Sequence, residues 1–211
     1  LSPVNATLVG DHSADSELDR VDAAARAETL ALLRQYEAAL AALDFDALSR
    51  ANQVDAALLL HELESGIWKI ETLQEWAWNP LYYVSISGSG IYGLLSRDFA
   101  PLDERLASAT SRLEQLPRFL EQARASLEPG RVPSVHAETA IQQNPGLNSI
   151  IDNMIVPHLD KLGATERARI EAAIETARGA IADHQAWLED ELMPRAAGDF
   201  RVGEELYDAK L

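Results

Sequence analysis

One apolar stripe constrains this chain more than any other feature. Leu102, Leu106, Ala109, Leu113, Leu116, Leu120, Ala123 and Leu127 recur at alternating steps of four and three without a miss. That is the period of an amphipathic α-helix and not of a strand. Pro101 stands at its first turn, where a helix accepts proline. Pro117 lies inside the stripe, loses an amide donor and crowds the carbonyl of Leu113, so a kink or break is expected there. Glu128-Pro129-Gly130 then stops the helix.

The same period recurs along the chain. Ile170, Ile174, Ala177, Ile181, His184, Leu188 and Leu192 form a second long stripe, closed by Pro194 and Gly198. Leu18, Val21, Ala25, Thr29, Leu32, Tyr36, Ala39 and Leu43 form a third. Leu60, Leu63, Ile67, Ile70 and Leu73 form a fourth. Asp44-Phe45-Asp46 interrupts between them and caps a short helix. Ser134 reads as the N-cap of a helix to about Gln143. Asn144-Pro145-Gly146 is a turn. Leu147 to Leu162 reads as helix with a second kink at Pro157. Phe200 to Leu211 begins another helix. Tyr82-Tyr83-Val84-Ser85-Ile86-Ser87 is the one β-like run, and one strand makes no sheet. The expectation is an all-α, irregular multi-helix bundle of about eight helices. Residues 1–16 are polar and unpatterned, and read as a loose arm before a single helical domain over 17–211.

Length and composition permit this. A chain of 211 residues can bury roughly 70% of its unfolded surface, enough for a core without staples. Hydrophobic residues make up 47% and charged residues 25%, which excludes disorder over most of the chain. With 18 basic and 34 acidic residues the net charge is 18 − 34 = −16, which argues against nucleic acid and anionic lipid as partners. No cysteine is present, so disulfides, thiolate catalysis, zinc fingers and iron–sulfur clusters are excluded. No run approaches the ~18 apolar residues of a membrane span. The chain starts at Leu1 without a basic-then-apolar leader, which reads either as removal of a signal peptide, if one existed, or as an imposed boundary at Leu1.

Local motifs supply little chemistry. His61-Glu62-Leu63-Glu64-Ser65 begins like a zinc-peptidase helix, but Ser65 stands where the second histidine must be. His12, His136, His158 and His184 have no histidine four residues away and no Glu three residues before them, so neither zinc nor di-iron spacing occurs. His61 reads as a packed, hydrogen-bonded histidine and His184 as a core-edge residue. Ser87-Gly88-Ser89-Gly90 lacks the lysine of a phosphate loop and reads as a plain loop or the start of a helix. Asp190-Glu191 and Glu204-Glu205 read as solvated helix faces. The densest functional signal is aromatic: Trp76, Trp78, Asn79, Tyr82 and Tyr83 crowd around one turn. They read either as a corner locking two helices or as the lining of a ligand cleft.

An ordered set of segments carries a family resemblance. It comprises Trp78-Asn79-Pro80-Leu81-Tyr82-Tyr83, Leu94-Leu95-Ser96-Arg97-Asp98, Arg112-Leu113-Glu114-Gln115-Leu116-Pro117, Trp187-Leu188 and Phe200 to Tyr207. The chain over roughly residues 20 to 211 resembles the N-terminal region of the bacterial family called domain of unknown function 885. Members are longer, helical and often exported or lipid-anchored, and they resemble helical zinc metallopeptidases. Their zinc signature, His-Glu followed by a Pro-Gly-His-His run, lies in the second half and has no counterpart here.

The resemblance therefore implies a non-catalytic N-terminal helical lobe of a zinc-dependent peptidase. No catalytic, cofactor-binding or metal-ligating residue is assigned to this chain, and zinc is expected only in the C-terminal half. That catalytic half is the expected partner, with a peptide as substrate and an extracytoplasmic location. The final helix runs to Leu211 without a cap, and Val202, Leu206 and Leu211 form an uncovered apolar edge, which reads as a cut. The alternative is a self-contained helical ligand-binding or scaffold domain. A third reading, an unrecognised small enzyme using His61 and Glu62, suffers because neighbouring helical positions point about 100° apart.

Overall fold

The computed structural model describes residues 2–210. Leu1 and Leu211 lie outside the described residues, and so does the share of Leu211 in the expected C-terminal edge. The helices are α1 (Pro3–Val9), α2 (Ala23–Ala41), α3 (Arg50–Trp68), α4 (Glu75–Trp78), α5 (Pro80–Leu95), α6 (Leu102–Ser126), α7 (Ser134–Gln143), α8 (Gly146–Met154), α9 (Ala164–Trp187) and α10 (Glu204–Lys210). Among the described residues no strand forms, and one isolated parallel bridge joins Pro133 to Gly198. The protein is all-α.

The centre is α6, packed between α5 and α9. Its stripe behaves as the spacing requires: Leu106, Ala109, Leu113, Leu116, Leu120, Ala123 and Leu127 are buried, and Leu102 packs against them. Every member of the 170–192 stripe is buried as well. Pro117 does not break α6, which runs through it as one helix. Leu113, Leu116, Phe119 and Leu120 bury their side chains around it. At roughly 1.5–3 kcal/mol each, their burial outweighs the ~3 kcal/mol penalty of an internal proline. Pro157 does end its helix: α8 stops at Met154 and Val156–Lys161 continues as a 3₁₀ segment.

The β-like run Tyr82–Ser87 is helical. Asn79 accepts the Leu81 amide through its side chain, and Pro80 occupies the first turn. The cap fixes the start. Tyr83, Ser87, Gly90, Ile91 and Leu94 then bury one helical face. Ser87 and Gly90 are thus interior to α5, not in a loop.

Residues 2–16 are not a loose arm. Helix α1 begins at a Ser2 cap and packs on α5. It comes close because Gly90 presents no Cβ; one there would sit 3.2 Å from Leu18 and 3.3 Å from Val4 side chains. Arg112, fully buried, donates to Gly90 O (2.7 Å) and Thr7 Oγ1 (2.7 Å), and Thr7 Oγ1 donates to Asp15 (2.6 Å). A polar segment is thus held by buried hydrogen bonds rather than by periodic apolar contacts.

Leu18 and Val21 are buried but precede α2, which starts at the Asp22 cap. Helices α2 and α3 pair with each other as a hairpin. No residue of α2 is fully buried, and Leu63 is the one in α3.

Candidate functional site

The aromatic cluster sits where α3 turns into α5. Helix α3 passes into a π-turn at Lys69–Leu73, and Gln74 then takes a left-handed conformation (φ 52°). The short α4 follows, and Asn79 starts α5. Two indoles brace this corner: Trp76 Nε1 donates to Ile70 O (3.0 Å) and Trp78 Nε1 to Leu73 O (2.8 Å). Carbonyls that a regular helix would have paired are satisfied by side chains instead.

The five expected cleft residues do not form one wall. Tyr83 is 1% exposed, donates to Trp76 O (2.5 Å) and meets Phe119 edge-on; burial pushes its hydroxyl up to about 12. It is a core residue. Asn79 is committed to the α5 cap and donates to Glu75 Oε1 (2.6 Å). Trp78 stacks on His136 and lines a cleft of about 370 Å³ with Arg131, Asp199 and Phe200. In that cleft the Arg201 guanidinium holds Asp199 down at about 2. Trp76 and Tyr82 line a different cleft, of about 330 Å³, between residues 19–29 and the end of α3.

That second cleft has the more specific chemistry. The Arg26 guanidinium lies over the Trp76 ring at 4.0 Å, an arrangement favoured by the ring quadrupole. Arg26 Nη1 donates to Val21 O (2.6 Å) and Ser126 Oγ (2.9 Å), which fixes it. Asp19, 5% exposed, accepts from Ser2 Oγ (3.0 Å) through Oδ2, while Oδ1 has no partner among the described residues. Burial raises its pKa. Burial first, and then the charges of Asp19 and Glu75, raise that of Tyr82. A desolvated carboxylate beside an aromatic wall suits a ligand bearing a hydrogen-bond donor. Sequence reasoning missed Asp19, which stands between the apolar stripe positions Leu18 and Val21 and reads as an ordinary polar neighbour.

The remaining expectations resolve simply. His61 and Glu62 are exposed on α3. His184 is buried on α9 facing α6 and stacks on Trp187; burial and the Arg124 charge push it down to about 4. Among the described residues no group of three or more His, Asp or Glu could hold a metal ion, and no helix is long and apolar enough to cross a membrane.

These features define an all-α protein organised around one buried helix, with two clefts flanking an aromatic corner. The sequence matches the family described as bacterial protein of unknown function (DUF885) over residues 3–211, and the chain belongs to that family. A solved structure titled "a putative lipoprotein of unknown function", from Shewanella oneidensis, is similar at 31% identity and a TM-score of 0.91. The match covers 99% of this chain and 38% of that one, so this chain spans well under half the length of its solved relative. No curated protein matches the chain.

Proposed function

We propose that this chain is the N-terminal helical lobe of a longer, extracytoplasmic zinc-dependent peptidase, and that it helps to wall a substrate cleft completed by the C-terminal half. The observation that carries the lobe reading is the share of the solved relative that the chain occupies, 38%, at nearly full coverage of its own length. The lipoprotein title of that relative supports an extracytoplasmic location. The peptidase element rests on the ordered resemblance of Trp78–Tyr83, Leu94–Asp98 and Arg112–Pro117 to the family. In this reading Trp76 and Tyr82, which are wall residues of one cleft, face the substrate side.

The test is metal analysis and peptide hydrolysis on the full-length protein and on residues 1–211 alone. The expected result is about one zinc per full-length chain, hydrolysis abolished by a chelator, and neither property in residues 1–211. Stoichiometric zinc with chelator-sensitive hydrolysis in residues 1–211 would overturn it, as would a full-length protein with neither.

A second reading, a ligand-binding helical domain, is favoured by the cleft beside Asp19 and Trp76. It expects a small amine or amide ligand to raise the melting temperature of residues 1–211 and Asp19→Asn to abolish that rise.

A further inference from the structure

The α2–α3 hairpin stands apart from the rest of the molecule. An amphipathic helix in a folded domain buries one face. Over nineteen residues α2 buries none completely, and α3 buries Leu63 alone. Large apolar side chains nevertheless stand in water on both helices and in their connection: Tyr36 on α2 is 56% exposed, Leu43 after it 51%, and Val54, Leu58 and Leu59 on α3 44%, 61% and 51%. Val54 and Leu58 are four residues apart on α3, so they share a helix face. Two paired helices cover only the sides that face each other. The sides facing away need a third layer.

Two observations say what supplies it. This chain accounts for 38% of the length of the solved relative, so most of that relative lies outside the match. The end of the described chain also lies at the root of the hairpin: Phe200, Val202 and Leu206 share a cleft with Thr72 and Leu73, directly after α3. A polypeptide continuing from there starts beside the uncovered helices.

We propose that the α2–α3 hairpin is a docking arm, and that the segment following residue 211 in the full-length polypeptide packs on its outer apolar side chains. The proposal rests on the lobe reading given above but not on zinc or hydrolysis. Gly66, close-packed on Leu33 (a Cβ there would lie 3.1 Å from Leu33 Cδ1), keeps the two helices of the arm together.

Hydrogen exchange of the full-length protein and of residues 1–211, read by mass spectrometry over peptides spanning residues 36–59, tests it. The expected result is exchange at least about tenfold slower in the full-length protein. The double substitution Leu58→Glu, Leu59→Glu should restore fast exchange there. Both side chains are exposed in the isolated lobe, so the same double variant of residues 1–211 should melt as the unsubstituted lobe does. Equal exchange in the two proteins would overturn the proposal. So would protection that already exists in residues 1–211 and comes with dimerisation, which would assign the face to a second copy. Zinc content and hydrolysis are read on the same full-length sample. A protected hairpin without zinc sinks the peptidase reading alone, and an exposed hairpin with zinc and hydrolysis sinks the docking arm alone.

Discussion

Two buried polar residues carry more consequence than their number suggests. Arg112 joins α6 to α1 and α5 through Gly90 O and Thr7 Oγ1, with Asp15 behind Thr7. Burial pulls its pKa down, and the charges of Asp15 and Asp19 oppose that. Replacing it with Met would remove the buried donor to Gly90 O and Thr7 Oγ1 and the positive charge that offsets Asp15 and Asp19. Arg112→Met should therefore cost about 3 kcal/mol in urea unfolding and make residues 2–16 protease-sensitive. A loss below ~1 kcal/mol would show that the network is dispensable.

His184 sets an acid limit. It is 2% exposed, its Nδ1 lacks a partner among the described residues, and its pKa falls to about 4. The unfolded chain takes up this proton near 6.5 while the folded chain resists it. Stability from this residue is thus complete above pH 6.5 and declines as pH falls toward 4, by up to roughly 3 kcal/mol. Asp19 acts in the opposite sense, because its raised pKa favours the folded state in acid. Urea unfolding across pH 4–7 for the native protein and His184→Leu isolates the histidine. The variant should lose most of one proton's slope, and parallel curves would refute the assignment.

At the scale of elements, close backbone approach decides which glycines matter. A Cβ at Gly198 would lie 2.0 Å from Arg131 O, and the Gly198 amide donates to Val132 O (2.9 Å). Gly198→Ala should pry the 196–202 segment from the loop before α7 and cost about 2–4 kcal/mol. Gly88 has no atom near its missing Cβ and lies inside α5. Gly88→Ala should stabilise by roughly 0.5–1 kcal/mol in the same melts. Equal behaviour of the two would contradict the packing. The contrast also marks what the sequence can reveal. The stripes of α6 and α9 are legible because each faces a core partner, so burial follows period. The stripes of α2 and α3 are equally periodic and yet only half-buried over most of their length, with Tyr36 exposed, since period gives a helix its face without supplying all that covers it. Residues 2–16 carry no period because hydrogen bonds from Arg112 and Gly90's missing side chain hold them. Tyr82–Ser87 favoured a strand by residue type, and the Asn79-Pro80 cap overrode it. The aromatic corner was legible as a cluster. Its division into a core tyrosine, a cap and two separate clefts depends on the π-turn, which leaves no local signature.

The whole molecule carries a net charge of −16, and much of its pairing is at the surface: Arg167 with Asp160 and Glu171, Arg169 with Glu114, and Arg178 with Asp152. Exposed pairs of this kind contribute ~0–1 kcal/mol each. The excess of acidic side chains repels over longer distances, and folding brings those charges closer together. Salt screens both terms, but unequally. Between about 0.01 M and 0.15 M the screening length shrinks from about 30 Å to about 8 Å, which removes mid-range repulsion while leaving contacts under 4 Å largely intact. The melting temperature should therefore rise by a few degrees over that range of NaCl, a range low enough that general exclusion of salt from the surface adds little. Charge reversal at an unpaired acidic position offers an internal control: Glu138→Lys, on the exposed side of α7, should raise the melting temperature at low salt and lose its advantage at the upper end. A melting temperature that falls with salt would mean that the arginine pairs, not the acidic excess, govern the electrostatics of this fold.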